Sequence, residues 1–383
     1  MALDPEIFDT LIETIRRFVR ERLRPLEAEV EAADAIPPHI VAEMRALGLF
    51  GLSIAEEYGG LGLTMREECR VAIELGRTTP AFRSTFGTNV GIGSQGLVMA
   101  GTPEQKAQWL PRMASGEIVA SFALTEPDVG SDSGAVKTRA VRDADVYRMS
   151  GTKRFITNAD TAHVFTVMAR TGEEPGGRGV SAFLVPRDLP GVSIGVPEKK
   201  MGQKGARVAD VVFDDVPVPA ANRLGEEEGQ GFRIAMQVLD RGRLHISAVC
   251  VGVAERLIAD CVAYASQRHQ FGKPIAEHQL IQAMIADSKT ESLAARALTL
   301  ETATRKDAGE NTTMEAAPPP NISPPRWSAA SRTARCRSSA ARGYIADYGI
   351  ERLYRDVRLF RIYEGTSQIQ QLIIARETLK RGG

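Results

Sequence analysis

The periodicity of the apolar residues changes twice along this 383-residue chain, and the two changes constrain its fold more than any other feature. Residues 4–31 and the segments up to residue 118 carry apolar side chains at spacings of three and four, which predicts helices. From residue 119 to about 213, short runs rich in Val, Phe and Thr alternate with Gly, Asp and Pro clusters, which predicts strands without intervening helices. The helical spacing returns from residue 232 to about 306, in two long segments broken near Gly272. The pattern therefore predicts an α+β chain of three parts.

We expect an N-terminal α-helical domain at 1–118, a middle antiparallel β-barrel or sandwich domain at 119–226, and a C-terminal α-helical bundle domain at 227–383. Local signals support the helices: Asp4 precedes Pro5 at a helix start, Gly48 ends a helix, and Thr64 with Glu67 forms a capping box. Pro25 should kink or break the first helix. The strands are predicted at 119–126, 136–142, 145–158, 163–170, 180–186 and 207–213. Residues 216–231 are predicted to be the loop that ends the β domain.

Charge and cysteine usage exclude several classes of protein. Lys plus Arg number 48 and Asp plus Glu number 48, so the basic excess of a nucleic-acid binder is absent. The chain contains no run of 18 apolar residues, which argues against a membrane span, and its acidic N-terminus does not resemble a targeting peptide. The four cysteines are scattered without a CxxC pair, and the histidines form no HExxH. We therefore expect a cytoplasmic protein without a metal site.

The motifs of several enzyme classes are missing. The chain has no GxSxG nucleophile elbow, in which the serine stands at a turn from strand to helix, and no Walker loop. The segment GIGSQG (Gly91, Gly93, Gly96) matches GxGxxG, but no convincing strand precedes it, so close helix packing is the favoured interpretation and dinucleotide binding the alternative. Any chemistry must then come from a bound cofactor or from carboxylates.

Two segments are informative. In YEGTSQIQ, residues 363–370, Glu364 precedes a helix that Thr366 can cap. The residues alone favour a helix–helix turn with a solvated glutamate, and the alternative is a carboxylate held beside helix N–H groups that bind a carbonyl or an anion. In FALTEPDVGSDSG, residues 122–134, a strand ends in a loop that is either an ordinary turn or a source of donors for a ligand.

Five stretches in order resemble the acyl-CoA dehydrogenase family: GTPEQKAQWLPRMASGE, ALTEPDVGSDSG, KRFITN, RHQFGKPIAEHQ and DVRLFRIYEGTSQIQQLIIAR. The resemblance covers almost the whole chain except roughly residues 316–342. It implies that FAD is the cofactor and that an acyl-CoA thioester is oxidised to its trans-2-enoyl form. A carboxylate in an apolar pocket gains the basicity needed to take the α-proton, and the flavin accepts the β-hydride.

The resemblance also implies the site residues. Glu364 is the expected base, and its backbone N–H is one expected thioester donor. Some family members carry the glutamate on an earlier helix, but the matching position here is Gly242. The expected FAD-binding residues are Phe122, Leu124, Thr125, Gly130, Ser131, Phe155, Ile156, Thr157, Arg268, Gln270, Phe271, His278, Gln279, Thr366, Ser367 and Gln368, of which Arg268, Gln270 and Phe271 match residues that meet the FAD of a neighbouring subunit. The expected substrate-binding residues are Ser131, Asp240, Arg243, Gly365 and Arg376.

The resemblance implies an electron-transfer flavoprotein as electron acceptor and a homotetramer. Gly242-Arg243 beside a C-terminal glutamate resembles the short-chain and short-branched-chain members. Two alternatives stay open: a non-catalytic, flavin-poor relative that acts as a partner-binding scaffold, and a flavin oxidase or monooxygenase on the same fold.

Residues 316–342, AAPPPNISPPRWSAASRTARCRSSAAR, depart from the family pattern, which has a helix here. Five prolines lie between Pro318 and Pro325, and each would cost about 3 kcal/mol inside a helix. Plausible codons read one base out of register give AAKYFASEMVGRVADRAV, an amphipathic helix. We hypothesise a compensated frameshift, with a Pro-rich disordered insert as the alternative. Sequencing the gene decides between them. If the altered residues are present in the molecule, FAD affinity and oligomer stability should fall.

Overall fold

The first part of the chain is a layer of short helices. The structure, a computed structural model, describes residues 2–313 and 344–382. The helices of this part are α1 (Pro5–Phe18), α2 (Glu27–Ala33), α3 (Pro38–Ala46), α4 (Met65–Leu75), α5 (Pro80–Thr88), α6 (Gln95–Ala100) and α7 (Pro103–Ala114). The helical pattern of residues 4–31 is interrupted by a π turn at Val19–Leu23 and a 3₁₀ turn at Arg24–Leu26, which contains Pro25. The break predicted at this proline is confirmed.

The predicted helix ends are present. The Asp4 carboxylate accepts the N–H of Glu6 and of Ile7, and Gly48 has φ +70° after α3. Thr64 forms the predicted capping box with Glu67, and Thr102, for which no capping box was predicted, forms another with Gln105. These signals were readable from sequence because each is complete within four residues.

The middle part is one eight-stranded sheet. Its strands are β1 (Ala120–Ala123), β2 (Arg139–Asp143), β3 (Val146–Thr157), β4 (Val164–Arg170), β5 (Val180–Pro186), β6 (Val192–Ile194), β7 (Val208–Pro219) and β8 (Arg223–Leu224). The order is β6-β7-β3-β2-β4-β5-β8, and β1 pairs with β4. The predicted fold class is confirmed, but the sheet is mixed: β1 runs parallel to β4, with Ala120 opposite Val164, and β2 meets β4 in a parallel bridge.

The prediction of a loop over residues 216–231 is wrong at its start. Strand β7 continues through Pro217 and Pro219, which pair in register with Arg148 and Val146. Proline is tolerated there because β6 covers β7 only at residues 211–213, so that this end of β7 is an edge. The three-residue β6 and the two-residue β8 were also missed, since neither is long enough to show a period.

The last part is built on one 37-residue helix, α8 (Gly231–Gln267). A hairpin of β9 (His269–Gln270) and β10 (Lys273–Pro274) follows, then α9 (Gln279–Asp307), α10 (Ile350–Asp356) and α11 (Ser367–Gly382). The predicted break near Gly272 is confirmed. Helix α8 lies against α4 so closely that a Cβ at Gly252 would be 2.0 Å from the Ile73 carbonyl oxygen and one at Gly76 would be 2.3 Å from that of Val249. Only glycine permits this contact between helix backbones.

Asp356 links all three parts. Its carboxylate accepts the Thr79 hydroxyl at 2.8 Å, from the start of α5, and the Gln203 N–H at 2.5 Å, from the loop before β7. Burial raises the pKa of Asp356 to about 6. Because α10 ends at this residue, the link fixes where the chain turns toward Glu364, eight positions later.

No helix within the described ranges is long and apolar enough to cross a membrane. The segment 316–342, with its frameshift hypothesis, lies outside the described residues.

Candidate active site

A cavity of about 570 Å³ lies where the β sheet meets α8 and α11. Its β side is formed by the end of β1 with the following loop and by the end of β3. Its helical side is formed by Phe232, Met236 and Leu239 of α8 and by Ile369 and Ile373 of α11. The volume and the apolar lining with a few polar groups are typical of a small-molecule site.

Glu364 is the carboxylate of this cavity. It lies just before α11 with φ +57°, a left-handed conformation that is strained for a side chain larger than glycine. The residue is half-buried, and its Oε2 atom is shielded from solvent with no hydrogen-bond partner among the described residues. Burial raises the pKa of Glu364 to about 7, and the positive charges of Arg243 and Arg83 oppose that rise. The solvated glutamate favoured by the residues alone is therefore wrong.

Gly242 of α8 leaves the space that the Glu364 carboxylate occupies. A Cβ at Gly242 would lie 2.9 Å from Oε2 and 3.0 Å from Oε1. The Glu364 carboxylate thus lies against the α8 backbone, in the space that a side chain at position 242 would fill.

Arg243, the next residue, holds the backbone of Glu364. Its Nε donates to the Glu364 carbonyl at 3.1 Å, and its Nη1 pairs with Asp240 at 2.5 Å. Thr313 donates to the other Asp240 oxygen at 3.1 Å. A buried guanidinium that is fixed by a carboxylate at one end gives the turn at Glu364 a rigid partner.

A buried pair lies behind this group and was missed by the sequence reasoning. Arg83 of α5 donates from Nη2 to Nδ1 of His245 on α8. Burial and the charges of Arg83 and Arg241 hold the pKa of His245 well below its usual value, so the ring is neutral and accepts at Nδ1. The two residues are 162 positions apart, and neither belongs to a local motif.

The β side of the cavity is tethered by a buried ion pair. Lys153 of β3, fully buried, donates to Glu126 at 2.7 Å and to the Leu124 carbonyl at 3.2 Å. Glu126 also accepts the N–H of Lys137 at 2.7 Å and of Thr138 at 2.9 Å. The loop after β1 is thereby fixed from three directions. This pair was also missed, because its members lie 27 positions apart, Glu126 in the loop after β1 and Lys153 on β3.

A bulge directs Phe155 outward. The register between β3 and β7 shifts between Lys153 and Ile156, and Phe155 takes φ +57° with 55% of its surface exposed at the cavity. Bulges re-aim side chains in this way beside binding sites.

The structure brings most of the predicted site residues together. Those that line the cavity are Phe122, Leu124, Thr125, Gly130, Ser131, Phe155, Ile156, Thr157, Asp240, Arg243, Glu364, Gly365 and Arg376. The cavity also has lining residues that were not among the predicted site residues: Thr88, Ile92, Ser133, Phe232, Met236, Leu239, Thr313, Tyr363, Ile369 and Ile373. Ser133, Tyr363 and Ile369 stand inside the two informative segments, and the apolar period of α8 and α11 is the signal that could have identified some of the others.

Other predicted residues lie elsewhere. A second, open cavity of about 810 Å³ at the β9–β10 hairpin is lined by Arg268, Gln270, Phe271, His278 and Gln279, and Phe271 is 93% exposed. Thr366 and Gln368 do not line the main cavity, and Ser367 borders a separate cavity of about 30 Å³ behind Glu364. The Thr366 cap is confirmed, since its hydroxyl accepts the Ile369 N–H at 3.3 Å.

Two glycines of GIGSQG, Gly93 and Gly96, pack against the sheet. The residues before them form α5, and a Cβ at Gly93 would lie 2.5 Å from the Ala120 carbonyl oxygen of β1. The close-packing interpretation is therefore confirmed.

Family models match three consecutive parts of the chain. The N-terminal, middle and C-terminal domain models of acyl-CoA dehydrogenase match residues 6–117, 121–216 and 229–379. The acryloyl-CoA reductase (NADH) of Anaerotignum propionicum is 40% identical over 97% of this chain and 94% of its own length.

Two solved structures have the same fold over their whole length. Butyryl-CoA dehydrogenase from Megasphaera elsdenii is 32% identical with a TM-score of 0.94 over 99% of each chain. A chain from work on the electron transferring flavoprotein of Acidaminococcus fermentans is 34% identical, also with a TM-score of 0.94, over 99% of this chain and 100% of its own. With three matching domains and relatives similar along their full length, the chain belongs to the acyl-CoA dehydrogenase family of FAD-dependent oxidoreductases.

Proposed function

We propose that the chain catalyses α,β-dehydrogenation of an acyl-CoA thioester to the trans-2-enoyl-CoA, with Glu364 as the base that takes the α-proton. The observation that carries the proposal is the Glu364 carboxylate in the main cavity, with a shielded Oε2 and a pKa raised by burial to about 7. A general base acts best when its pKa is near the working pH, and an ordinary solvated glutamate would be too weak.

The β side of the cavity fits a flavin. The Thr125, Ser131 and Thr157 side chains donate no hydrogen bond among the described residues, and all three line the cavity. A Cβ at Gly130 would meet no atom within 4 Å, so the loop leaves space for a ligand. Phe122, Leu124 and Ile156 supply apolar surface, and Phe155 supplies an exposed ring. We assign these residues, from Phe122 to Ser131 and from Phe155 to Thr157, to FAD. When bound, FAD supplies the acceptor for the β-hydride.

The residues of this chain perform the proton step. The α-proton of a thioester is weakly acidic, so its removal requires a desolvated carboxylate and donors for the charge that develops on the thioester oxygen. The backbone N–H of Glu364 donates no hydrogen bond within the described parts of the chain and is available for that oxygen. Apolar side chains of α8 and α11 exclude water from the Glu364 carboxylate, which strengthens both interactions.

We assign the acyl-CoA substrate to the same cavity, in contact with residues of both its helical side and its β side. Gly365 lies beside the base, and Ser131 lies at the loop on the β side. Arg376 of α11 is exposed at the cavity and is placed to attract the negative charge of a CoA nucleotide. Asp240 and Arg243 are assigned to the thioester end, although their hydrogen bonds show that they also position Glu364. The Gly242-Arg243 pair and the similarity to butyryl-CoA dehydrogenase support a short or short-branched acyl chain.

The remaining assignments concern assembly. We propose a homotetramer in which Arg268, Gln270 and Phe271 at the exposed β9–β10 hairpin, with His278 and Gln279 at the start of α9, complete the FAD site of a neighbouring subunit. Thr366, Ser367 and Gln368 are proposed to approach the FAD pyrophosphate and adenosine. Domain boundaries at 118/119 and 226/227 follow the change from helix to strand and back. The scattered cysteines support a cytoplasmic location, and the similarity to the chain from the Acidaminococcus fermentans work supports an electron-transfer flavoprotein as acceptor.

A second candidate is the reverse reaction, reduction of a 2-enoyl-CoA with protonated Glu364 as the acid. The similarity to acryloyl-CoA reductase (NADH) favours it. The same residues serve both directions, so the electron partner decides between them.

The test is an absorption spectrum of the purified protein before and after butyryl-CoA is added without oxygen. Bleaching of the flavin band with formation of the enoyl product is expected. Glu364→Gln should retain FAD and lose about 10²- to 10⁴-fold of the rate, whereas Glu57→Gln, at an exposed position, should match the wild type. Substantial turnover by Glu364→Gln would refute the base assignment. A protein without flavin would favour the scaffold alternative, and rapid reoxidation by air would favour the oxidase.

A further inference from the structure

Gln370 lies on the first turn of α11 and reaches back to the turn that carries Glu364. Its Nε2 donates to the Glu364 carbonyl at 2.8 Å and to the Gly365 carbonyl at 3.2 Å. Side chains on a helix lean toward its N-terminus, so a residue on the first turn naturally lies over the preceding loop. Gln370 is buried, with 6% of its surface exposed.

The turn that Gln370 contacts requires such support. Glu364 has φ +57° and Gly365 has φ +89°, so two successive residues are in the left-handed region. A non-glycine residue holds this conformation only when its surroundings fix it. Arg243 donates to the same Glu364 carbonyl from α8, so two side-chain donors from two helices converge on one oxygen.

The chemistry of the amide explains the residue type. Both acceptors are carbonyl oxygens, and only an amide nitrogen has two hydrogens to donate to them without a charge. The Gln370 Oε1 atom is buried and has no partner within the described ranges. An unsatisfied buried acceptor destabilises the protein. The Oε1 atom therefore gives no reason for an amide at this position, and the reason lies in the two hydrogen bonds that Nε2 donates.

We propose that Gln370 is a positioning residue for the dehydrogenation, which acts by holding the Glu364–Gly365 turn so that the Glu364 carboxylate faces the α-carbon of the substrate. The proposal rests on the proposed function of Glu364. Gln370 does not line the main cavity and so acts through Glu364 rather than on the substrate.

The test compares Gln370→Met, which keeps the length and loses both donors, with Gln371→Met, the neighbouring exposed residue on α11. Gln370→Met should lower kcat by about 10²-fold, the effect expected of a reacting group displaced by about 1 Å. KM and FAD content should stay within about twofold of those of Gln371→Met. Because proton removal becomes slower, the isotope effect with α-deuterated butyryl-CoA should rise.

A double-variant cycle shows whether Gln370 acts through the base. In the Glu364→Gln background, Gln370→Met should have no further effect on the residual rate, since the group that it positions is gone. An equal loss in both backgrounds would overturn the proposal, as would an unchanged kcat in the single variant. If Gln370→Met unfolds, Gln370→Asn provides the second variant: it is shorter by one methylene, should lose both bonds, and should lower kcat with the same isotope effect. A wild type that does not dehydrogenate any acyl-CoA would instead refute the proposed function, on which the role of Gln370 rests.

Discussion

Gly242 and Glu364 share one volume: a Cβ on Gly242 would lie 2.9 Å from one carboxylate oxygen of Glu364 and 3.0 Å from the other. The third neighbour of that Cβ is Ile92 Cγ2 at 3.0 Å, so an added methyl group would also press on Ile92. A side chain at this point of α8 would therefore displace the Glu364 carboxylate from its present position.

Gly242→Ala should displace the Glu364 carboxylate and lower kcat by about 10- to 100-fold. Helix α8 itself should gain slightly from the substitution, because alanine favours a helix by about 1 kcal/mol over glycine. Steady-state kinetics with butyryl-CoA and a thermal unfolding curve measure the two effects. Wild-type kcat in Gly242→Ala would show that the base is not held at this distance during turnover.

The activity should depend on the protonation of Glu364. Because only the carboxylate accepts a proton and its pKa is about 7, kcat/KM should rise as the pH is raised through about 7. The Arg83 charge lowers the pKa of Glu364, so Arg83→Met should move the midpoint of this rise to higher pH. Arg243 acts in the same direction but also bonds the Glu364 backbone, which makes Arg83 the cleaner test. Profiles of the two proteins that coincide would mean that Arg83 does not act on the base.

The raised pKa of Glu364 also lowers the stability of the folded protein above neutral pH. Between the usual value of 4.5 and about 7, the folded protein binds a proton at Glu364 that the unfolded chain has already lost. Stability therefore falls as pH rises through that window. Glu364→Gln, which cannot ionise, should have a higher Tm than the wild type at pH 8, and the difference should shrink toward pH 5. A difference that grows at low pH would contradict the raised pKa.

The sequence predicted what is local and missed what is brought together by folding. The capping box at Thr64 and the break at Gly272 each depend on a few adjacent residues, and both are present. The parallel pairing of β1 with β4 depends on partners 44 residues apart, and no local pattern encodes it. The same holds for the site: Glu364 stands in a recognisable motif, whereas Arg83 with His245, Lys153 with Glu126, and the reach of Gln370 are visible only in three dimensions.

Lys153 should be the most sensitive residue on the flavin side. Lys153→Met leaves Glu126 buried without its counter-charge, and breaking a buried pair in this way costs about 3–5 kcal/mol. It also removes the bond to the Leu124 carbonyl, so the loop from Leu124 to Ser131 should hold FAD less well. Urea unfolding and the ratio of flavin to protein absorbance measure the two losses.

Two comparisons make the Lys153 prediction specific. Lys137→Met removes an exposed pair with Asp128 at 3.0 Å and should change the free energy of unfolding by less than about 1 kcal/mol. Lys153→Met combined with Glu126→Gln should be more stable than Lys153→Met alone, because the uncompensated charge is gone. If the double variant recovers stability but not FAD, the Leu124 bond is what positions the flavin loop. If Lys153→Met loses no more stability than Lys137→Met, the buried pair does not hold the loop.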